Sequence, residues 1–333
     1  MTTIAIIDDY LELAPRSGDW AGLPGKPEVR FYHDRGASRE ELQRRFADVD
    51  ILCTMHERTA LDRAMLSNLP NLKLILGTGQ PAIDMKAATE LGIIMAGARI
   101  QRQGGDPTAE LTIGLMIALM RHIPAEDEAL RRGIWQSEIG ESLGGRTLGV
   151  LGLGRIGGRV AAVAKIFEME VIAWGPTLTP ERAQQHGATM VSKEELFRRS
   201  DVITVHWKLT DSTRGLVGGA DLALMKPTAY LINTARGPLV QQEALLDVLS
   251  KGTIAGAALD VFDDEPLPQD SPFYDLPNTV LAPHLGYSTG EYLRRTYAAQ
   301  AEACRAFLTG QPLQVQNPAV LDHARAPQPA PAS

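Results

Sequence analysis

Residues Thr147–Lys165 read "TLGVLGLGRIGGRVAAVAK". An apolar run suited to a buried strand leads into Gly152, Gly154 and Gly157, spaced G-x-G-x-x-G, and then into small and apolar residues at helical spacing. Strand, glycine turn and helix in that order form the entry to a parallel βαβ unit. Without Cβ atoms the turn is tight and the backbone approaches a pyrophosphate, to which the helix start offers free N–H groups and the positive end of its dipole. The stretch therefore reads as a dinucleotide cradle. The following run, "VIAWGPTLTPERA" from Val171, departs from the usual pattern. Where such a cradle places a carboxylate for the adenosine ribose, this chain has Trp174, Gly175 and Pro176. That carboxylate also repels a 2′-phosphate, so the expected cofactor is NAD or NADP with the preference open, and Arg182 and Lys208 are candidate cations for the phosphate.

Outward from the cradle the same alternation continues. Before residue 97, "TIAIID", "VRFYH", "DILCT", "LKLILG" and "GIIMAG" are separated by helical patterns. After residue 146, "VIAWG", "DVITVHW", "AYLINTA", "IAGAALDVF" and "TVLAPH" are separated in the same way. This predicts an α/β fold of two doubly wound parallel-sheet domains, Rossmann-like or flavodoxin-like. The segment "DPTAELTIGLMIALMRHI" at 106–123 predicts a buried helix with Asp106 as its cap and Pro107 in its first turn. "STGEYLRRTYAAQAEACRAFLTG" predicts one long amphipathic helix ending at Gly310, which returns the chain to the first unit. The expected domains are residues 1–104 with 287–333, a discontinuous substrate-binding domain, and 105–286, the dinucleotide-binding domain. The Pro- and Ala-rich tail "ARAPQPAPAS" has little to bury.

A net charge of -7 gives no general attraction to phosphate backbones or anionic membranes, so nucleic acid is not an expected partner. No apolar run approaches the roughly 20 residues of a bilayer span. The N-terminus enters a strand pattern without a basic-then-apolar leader, and a cytoplasmic location is expected. Two cysteines, Cys53 and Cys304, lie far apart in apolar settings; neither a disulfide framework nor a metal cluster is expected.

Three strand-like segments end in polar residues that packing does not explain: Arg236 in "LINTARGPLV", Glu265 in "ALDVFDDEPLP" and His284 in "VLAPHLGYSTG". Taken singly they read as a surface ion pair, a solvated carboxylate and a core imidazole. In an open parallel sheet, however, ligands bind outside the carboxyl ends of the strands, which would bring all three to the edge that carries the glycine loop. Oxidising a secondary alcohol with a nicotinamide needs a proton acceptor, and reducing the ketone needs a donor; imidazole serves both near neutral pH. A carboxylate beside it fixes the ring and favours imidazolium, and a guanidinium binds a substrate carboxylate through paired hydrogen bonds.

With these motifs the chain resembles the D-isomer-specific 2-hydroxyacid dehydrogenase family over nearly its whole length: "GIIMAGARIQRQGGDPTAELTIGLMIAL", "LGGRTLGVLGLGRIG", "MKPTAYLINTARGPLV", "AALDVFDDEPLP" and "APHLGYST". The resemblance implies that Arg236 contacts the substrate carboxylate and carbonyl, that Glu265 pairs with His284, and that His284 is the acid/base. It implies that backbone amides near Thr78 and Gly79 receive the carboxylate and that Asp260 meets the nicotinamide amide. Along the cofactor it places Thr108, Arg155, Ile156, Gly175, His206, Lys208, Thr234 and Ala235. It also implies two similar α/β domains flanking a cleft, and a homodimer formed through the glycine-loop domain. The chain departs from the family's "H-x-P" in having His206, Trp207 and Lys208. It also has "TMHERT", with His56, Glu57 and Arg58, in the early substrate loop, and Tyr287 three residues after His284, where a small residue is frequent. The expected function is NAD(P)-dependent interconversion of a small 2-keto acid and its D-2-hydroxy acid, either glyoxylate/hydroxypyruvate reductase-like or 3-phosphoglycerate dehydrogenase-like. The alternative is a nucleotide-sensing corepressor on the same fold, which would bind without turnover.

Overall fold

The computed structural model describes residues 1–56, 58–77, 82–98, 105–311 and 313–325. The chain forms two compact units, one of Met1–Gln103 with Thr289–Ser333 and one of Gly104–Ser288.

In the first unit, β1 (Thr3–Ile6), β2 (Glu28–Phe31), β3 (Ile51–Cys53), β4 (Leu74–Leu76) and β5 (Ile94–Gly97) pair in parallel in the order β2-β1-β3-β4-β5. This is the flavodoxin-like order. The inner strands β1, β3 and β4 are continuous apolar runs, buried throughout, as a sheet covered on both faces requires. The long helix Gly290–Leu308 belongs to this unit. Thr289 caps it by accepting from the Tyr292 N–H, and Gly310, in the left-handed region at φ 68°, follows it. Beyond it the last strand, Gln314–Val315, adds antiparallel to β5. The helix is fixed by Gln300, whose side chain donates to the Thr54 carbonyl at 2.9 Å, and by Cys304. Cys53 and Cys304, remote in sequence, are both buried free thiols with their Sγ atoms 3.8 Å apart.

The second unit holds β6 (Thr147–Leu151), β7 (Glu170–Trp174), β8 (Thr189–Met190), β9 (Val202–Val205), β10 (Tyr230–Asn233), β11 (Gly256–Leu259) and β12 (Thr279–Leu281), with β13 naming the terminal strand of the first unit. Its order is β12-β11-β10-β9-β6-β7-β8, parallel throughout. Strand order reverses at β6, so the crevice between the carboxyl ends of β6 and β9 is the topological switch point of a Rossmann sheet. Alternate side chains divide the core between two faces. Leu148, Val150, Tyr230 and Ile232 pack with the helices Pro107–Met120 and Arg155–Ile166. Leu151, Ile203, Val205 and Leu231 pack with Leu196, Phe197, Leu245 and Leu249 on the other. Asp106 stands at the start of Pro107–Met120 but does not cap it with its side chain; its carboxylate is paired with Arg155. Among the described residues no helix is long and apolar enough to cross a membrane, and no group of three or more His, Cys, Asp or Glu could hold a metal ion.

Candidate active site

Because the second sheet is parallel, the residues following β6, β7, β9, β10, β11 and β12 share one edge. These are the glycine loop, Gly175, His206 to Lys208, Thr234 to Arg236, Asp260 and His284. Two glycines in the loop are required by contact. A Cβ on Gly152, whose φ is 95°, would lie 2.5 Å from the His206 carbonyl oxygen, and one on Gly157 would lie 2.2 Å from the Gly152 carbonyl oxygen. At Gly154 a Cβ would meet nothing within 4 Å, and this residue opens the helix Arg155–Ile166 without a side-chain cap. An open backbone approach onto an uncapped N-terminus fits a dinucleotide pyrophosphate. Ile156 packs on the core beneath the loop.

His284 Nδ1 lies 2.5 Å from Glu265 Oε2. The second Glu265 oxygen accepts from the Phe262 N–H at 2.9 Å, so the carboxylate is oriented by backbone on one side and holds the imidazole on the other. Burial opposes its ionisation, but the His284 hydrogen bond and charge, the Phe262 N–H and the Arg236 charge outweigh burial and hold the carboxyl below its usual range. His284 has φ 54°, a left-handed conformation that is costly for a residue with a Cβ. The turn is held by Asp260, whose carbonyl accepts from the His284 N–H at 2.9 Å. Its carboxylate oxygens accept from the N–H groups of Leu285 at 2.6 Å and Gly286 at 2.8 Å. Burial pushes the Asp260 carboxyl up to about 6 against the opposing pull of those two N–H groups and of His284. Tyr287 packs edge-on against the imidazole, ring centroids 5.5 Å apart.

Arg236 leaves β10 on a turn braced by buried Asn233. The Asn233 amide nitrogen donates to the Arg236 carbonyl at 2.9 Å, and its oxygen accepts from the Ala235 N–H at 3.0 Å. Thr234 is buried and shares a 2.8 Å hydroxyl contact with Thr112. One turn earlier on that helix, Thr108 donates to the Gly286 carbonyl at 2.8 Å. The helix Pro107–Met120 thus ties the β10 turn to the His284 turn. Asn233 and Thr112 are contacts that the sequence reading did not single out. Only the Asn at a strand end before a turn carried a local signal.

His206 is partly buried, with Nε2 2.9 Å from the Thr204 hydroxyl, and burial lowers it to about 4. Lys208 is exposed, and Arg182 donates to the Thr177 carbonyl at 2.8 Å. In the first unit, His56 has φ 53° and stacks on Tyr292, while Arg58 donates to the Asp8 carbonyl and lies over the Tyr10 ring. Glu57, Thr78 and Gly79 lie outside the described residues.

A family model described as the NAD binding domain of D-isomer specific 2-hydroxyacid dehydrogenase matches residues 113–286. The chain belongs to that family. It is 40% identical over 281 residues to D-3-phosphoglycerate dehydrogenase of Methanocaldococcus jannaschii, covering 83% of this chain and 53% of the relative. It is 38% identical over 283 residues to glyoxylate reductase of Aeropyrum pernix, covering 82% and 84%. A solved structure titled phosphoglycerate oxidoreductase from Vibrio cholerae superposes with a TM-score of 0.82 at 36% identity, covering 90% of this chain and 96% of that one. The chain spans about half the length of the phosphoglycerate dehydrogenase it matches. Within the 2-hydroxyacid dehydrogenase family the matched region is the unit built on the glycine loop, and both named relatives are enzymes, not corepressors.

The partly buried imidazole of His206 at the switch point sets a pH dependence. His206 is lowered to about 4 in the fold, against an ordinary value of 6.5. Between those limits the unfolded chain binds a proton that the folded chain excludes, so stability falls as pH falls from about 6.5 to about 4. His206→Gln removes this contribution. Thermal melts across that range will show a shallower acid decline in the variant than in the native protein.

Proposed function

We propose that this chain is an NAD(P)-dependent oxidoreductase that interconverts a small 2-keto acid and its D-2-hydroxy acid. The observation that carries the reading is the 2.5 Å His284–Glu265 pair on the same sheet edge as the glycine loop. A bound nicotinamide supplies or accepts the hydride. The protein's part is to place protons and charge. With Nδ1 tied to Glu265, His284 keeps Nε2 for the substrate, giving a proton to the carbonyl oxygen in reduction and taking one from the hydroxyl in oxidation. Glu265 fixes the ring and stabilises the positive charge of the imidazolium. Arg236 offers a guanidinium fork to the substrate carboxylate and polarises the carbonyl. Gly152, Gly154 and Gly157 hold the pyrophosphate against the start of Arg155–Ile166, with Ile156, Thr108, Thr234 and Ala235 along the cofactor. Asp260 has a lone pair left on each oxygen with which to meet the nicotinamide amide. The first unit is the substrate-binding domain, with amides near Thr78 and Gly79 taking the carboxylate. Glyoxylate and hydroxypyruvate are the first substrates to try and 3-phosphoglycerate the second. Buried free thiols suit a cytoplasmic location.

His284→Ala tests the reading. The rate of 2-keto acid reduction, followed by loss of reduced-nicotinamide absorbance, should fall by roughly 10² to 10⁴ while the dinucleotide still binds. Near-native turnover would remove His284 from the chemistry, and a native protein that binds dinucleotide but turns over no 2-keto acid would favour a sensor.

The proposed assembly is a homodimer formed through the second unit. Ile123, Leu130, Ile134, Trp135 and Ile139 are exposed within seventeen residues, Trp135 at 78% and Ile139 at 93%. Ile123, Leu130, Ile134 and Trp135 line a groove of about 450 Å³ together with Ile117 and Arg121, with Glu126 and Asp127 also in its lining. A contiguous apolar surface of this kind needs a cover, and a second copy meeting it about a twofold axis supplies one. Sedimentation equilibrium should give twice the chain mass for the native protein and a shift toward monomer for Trp135→Glu; a native monomer at micromolar concentration would contradict the assembly.

A further inference from the structure

The ring of Trp207 lies across two glycines that belong to different strands of the switch point. A Cβ on Gly152, after β6, would stand 2.9 Å from Trp207 Cε3, and a Cβ on Gly175, after β7, would stand 3.1 Å from both Cζ3 and Cη2. The six-membered edge of the indole therefore runs from the first glycine of the loop to the position where a ribose-binding carboxylate would be mounted. Trp174, the last residue of β7, packs beside it with ring centroids 6.0 Å apart and planes 31° from parallel. Lys193 lies 5.9 Å from the Trp174 ring, its ammonium engaged by Asp221 at 2.7 Å and by the Leu216 carbonyl at 2.6 Å. Both tryptophans are partly buried and pack on the core beneath β9.

We propose that Trp207 is the adenosine-side specificity determinant of this chain: its indole fills the space into which a carboxylate at residue 175 would project, and offers the adenosine half of the dinucleotide an aromatic face instead. The proposal rests on the reading of the glycine loop as a dinucleotide site and extends it to the choice of cofactor. A carboxylate at this place selects for a free 2′-hydroxyl and against a 2′-phosphate. A flat aromatic surface does neither, since stacking depends on the π-face of the base and not on the ribose substituent. The native protein therefore binds NADH and NADPH within about tenfold of each other, a difference of no more than one decade in Kd.

The geometry also fixes how the two positions depend on one another. Gly175→Asp does not install the missing carboxylate freely, because its Cβ would stand 3.1 Å from the indole, which must give by a few tenths of an ångström, and Trp174 packs beside the same ring. The substitution alone costs affinity for both cofactors. With Trp207 reduced to Ala as well, the carboxylate has room and NADH selection emerges.

Calorimetric titration of NADH, NADPH and ADP-ribose into native protein, Trp207→Phe, Trp207→Leu, Trp207→Ala, Gly175→Asp and the double variant tests this. ADP-ribose isolates the adenosine half, and heats of binding do not depend on tryptophan emission or on turnover. Trp207→Ala and Trp207→Leu should weaken all three ligands alike, by about tenfold, and Trp207→Phe much less. Gly175→Asp alone should weaken all three, and the double variant should bind NADH at least about tenfold better than NADPH. Trp207→Leu keeps part of the apolar volume without an aromatic face and Trp207→Phe keeps a face, so a loss in Leu that Phe does not share points to the face, and melting temperatures check the fold of each variant. Native affinities in Trp207→Leu, or NADH-selective binding at native strength in Gly175→Asp alone, would overturn the assignment to Trp207. Absence of binding of every dinucleotide to the native protein would instead overturn the reading of the glycine loop.

Discussion

The arrangement of this site depends on the hydrogen bond between His284 Nδ1 and Glu265 Oε2. Imidazole has two nitrogens, and a partner on one decides what the other is free to do. Holding that geometry requires a histidine in a left-handed turn, a conformation that costs of order 1 kcal/mol or more for a residue with a side chain. Asp260 offsets the cost with three contacts to the turn, one through its carbonyl and two through its carboxylate. The carboxylate is itself buried, and its ionisation is sustained by those N–H groups and by the charge on His284. The His284–Glu265 pair and the aspartate beside it therefore form one electrostatic unit.

The sheet delivers the parts of that unit. Arg236, Asp260 and His284 follow three neighbouring parallel strands, and Glu265 follows one of them after a short loop. Residues nearly fifty positions apart in sequence are neighbours because strand spacing, not chain length, separates them. The glycine loop sits on the same edge, at the reversal of strand order, where the helix start is open to an anion. The helix Pro107–Met120 spans the Arg236 and His284 turns through Thr112 and Thr108, so packing behind the sheet and hydrogen bonding in front of it hold the same loops.

Much of this is legible in the sequence. The glycines at 152, 154 and 157 identified a strand-to-helix turn from spacing alone, and the alternation of apolar runs with helical patterns specified parallel sheets. Arg236, Glu265 and His284 stood out because each interrupts an apolar strand end. Other features depend on neighbours that no local pattern names. Asn233 looks like one more strand residue until its amide is seen bridging both sides of the Arg236 turn. Asp106 occupies a cap position, yet its carboxylate turns to Arg155, an ion pair set by the approach of two helices. The missing carboxylate at Gly175 is visible as an absence, but the indole that fills its place comes from the segment after β9, thirty-two positions away. Tertiary contact decided those three.

The central claim is that Glu265 acts through His284 on the chemical step and not on cofactor binding. The most direct measurement is kcat/KM for 2-keto acid reduction by native protein and Glu265→Ala, with Kd for NADH determined calorimetrically on both. The account predicts that kcat/KM falls by about a hundredfold or more while Kd stays within about twofold. A variant with native kcat/KM, or one whose loss of activity is matched by an equal loss of NADH affinity, would contradict it.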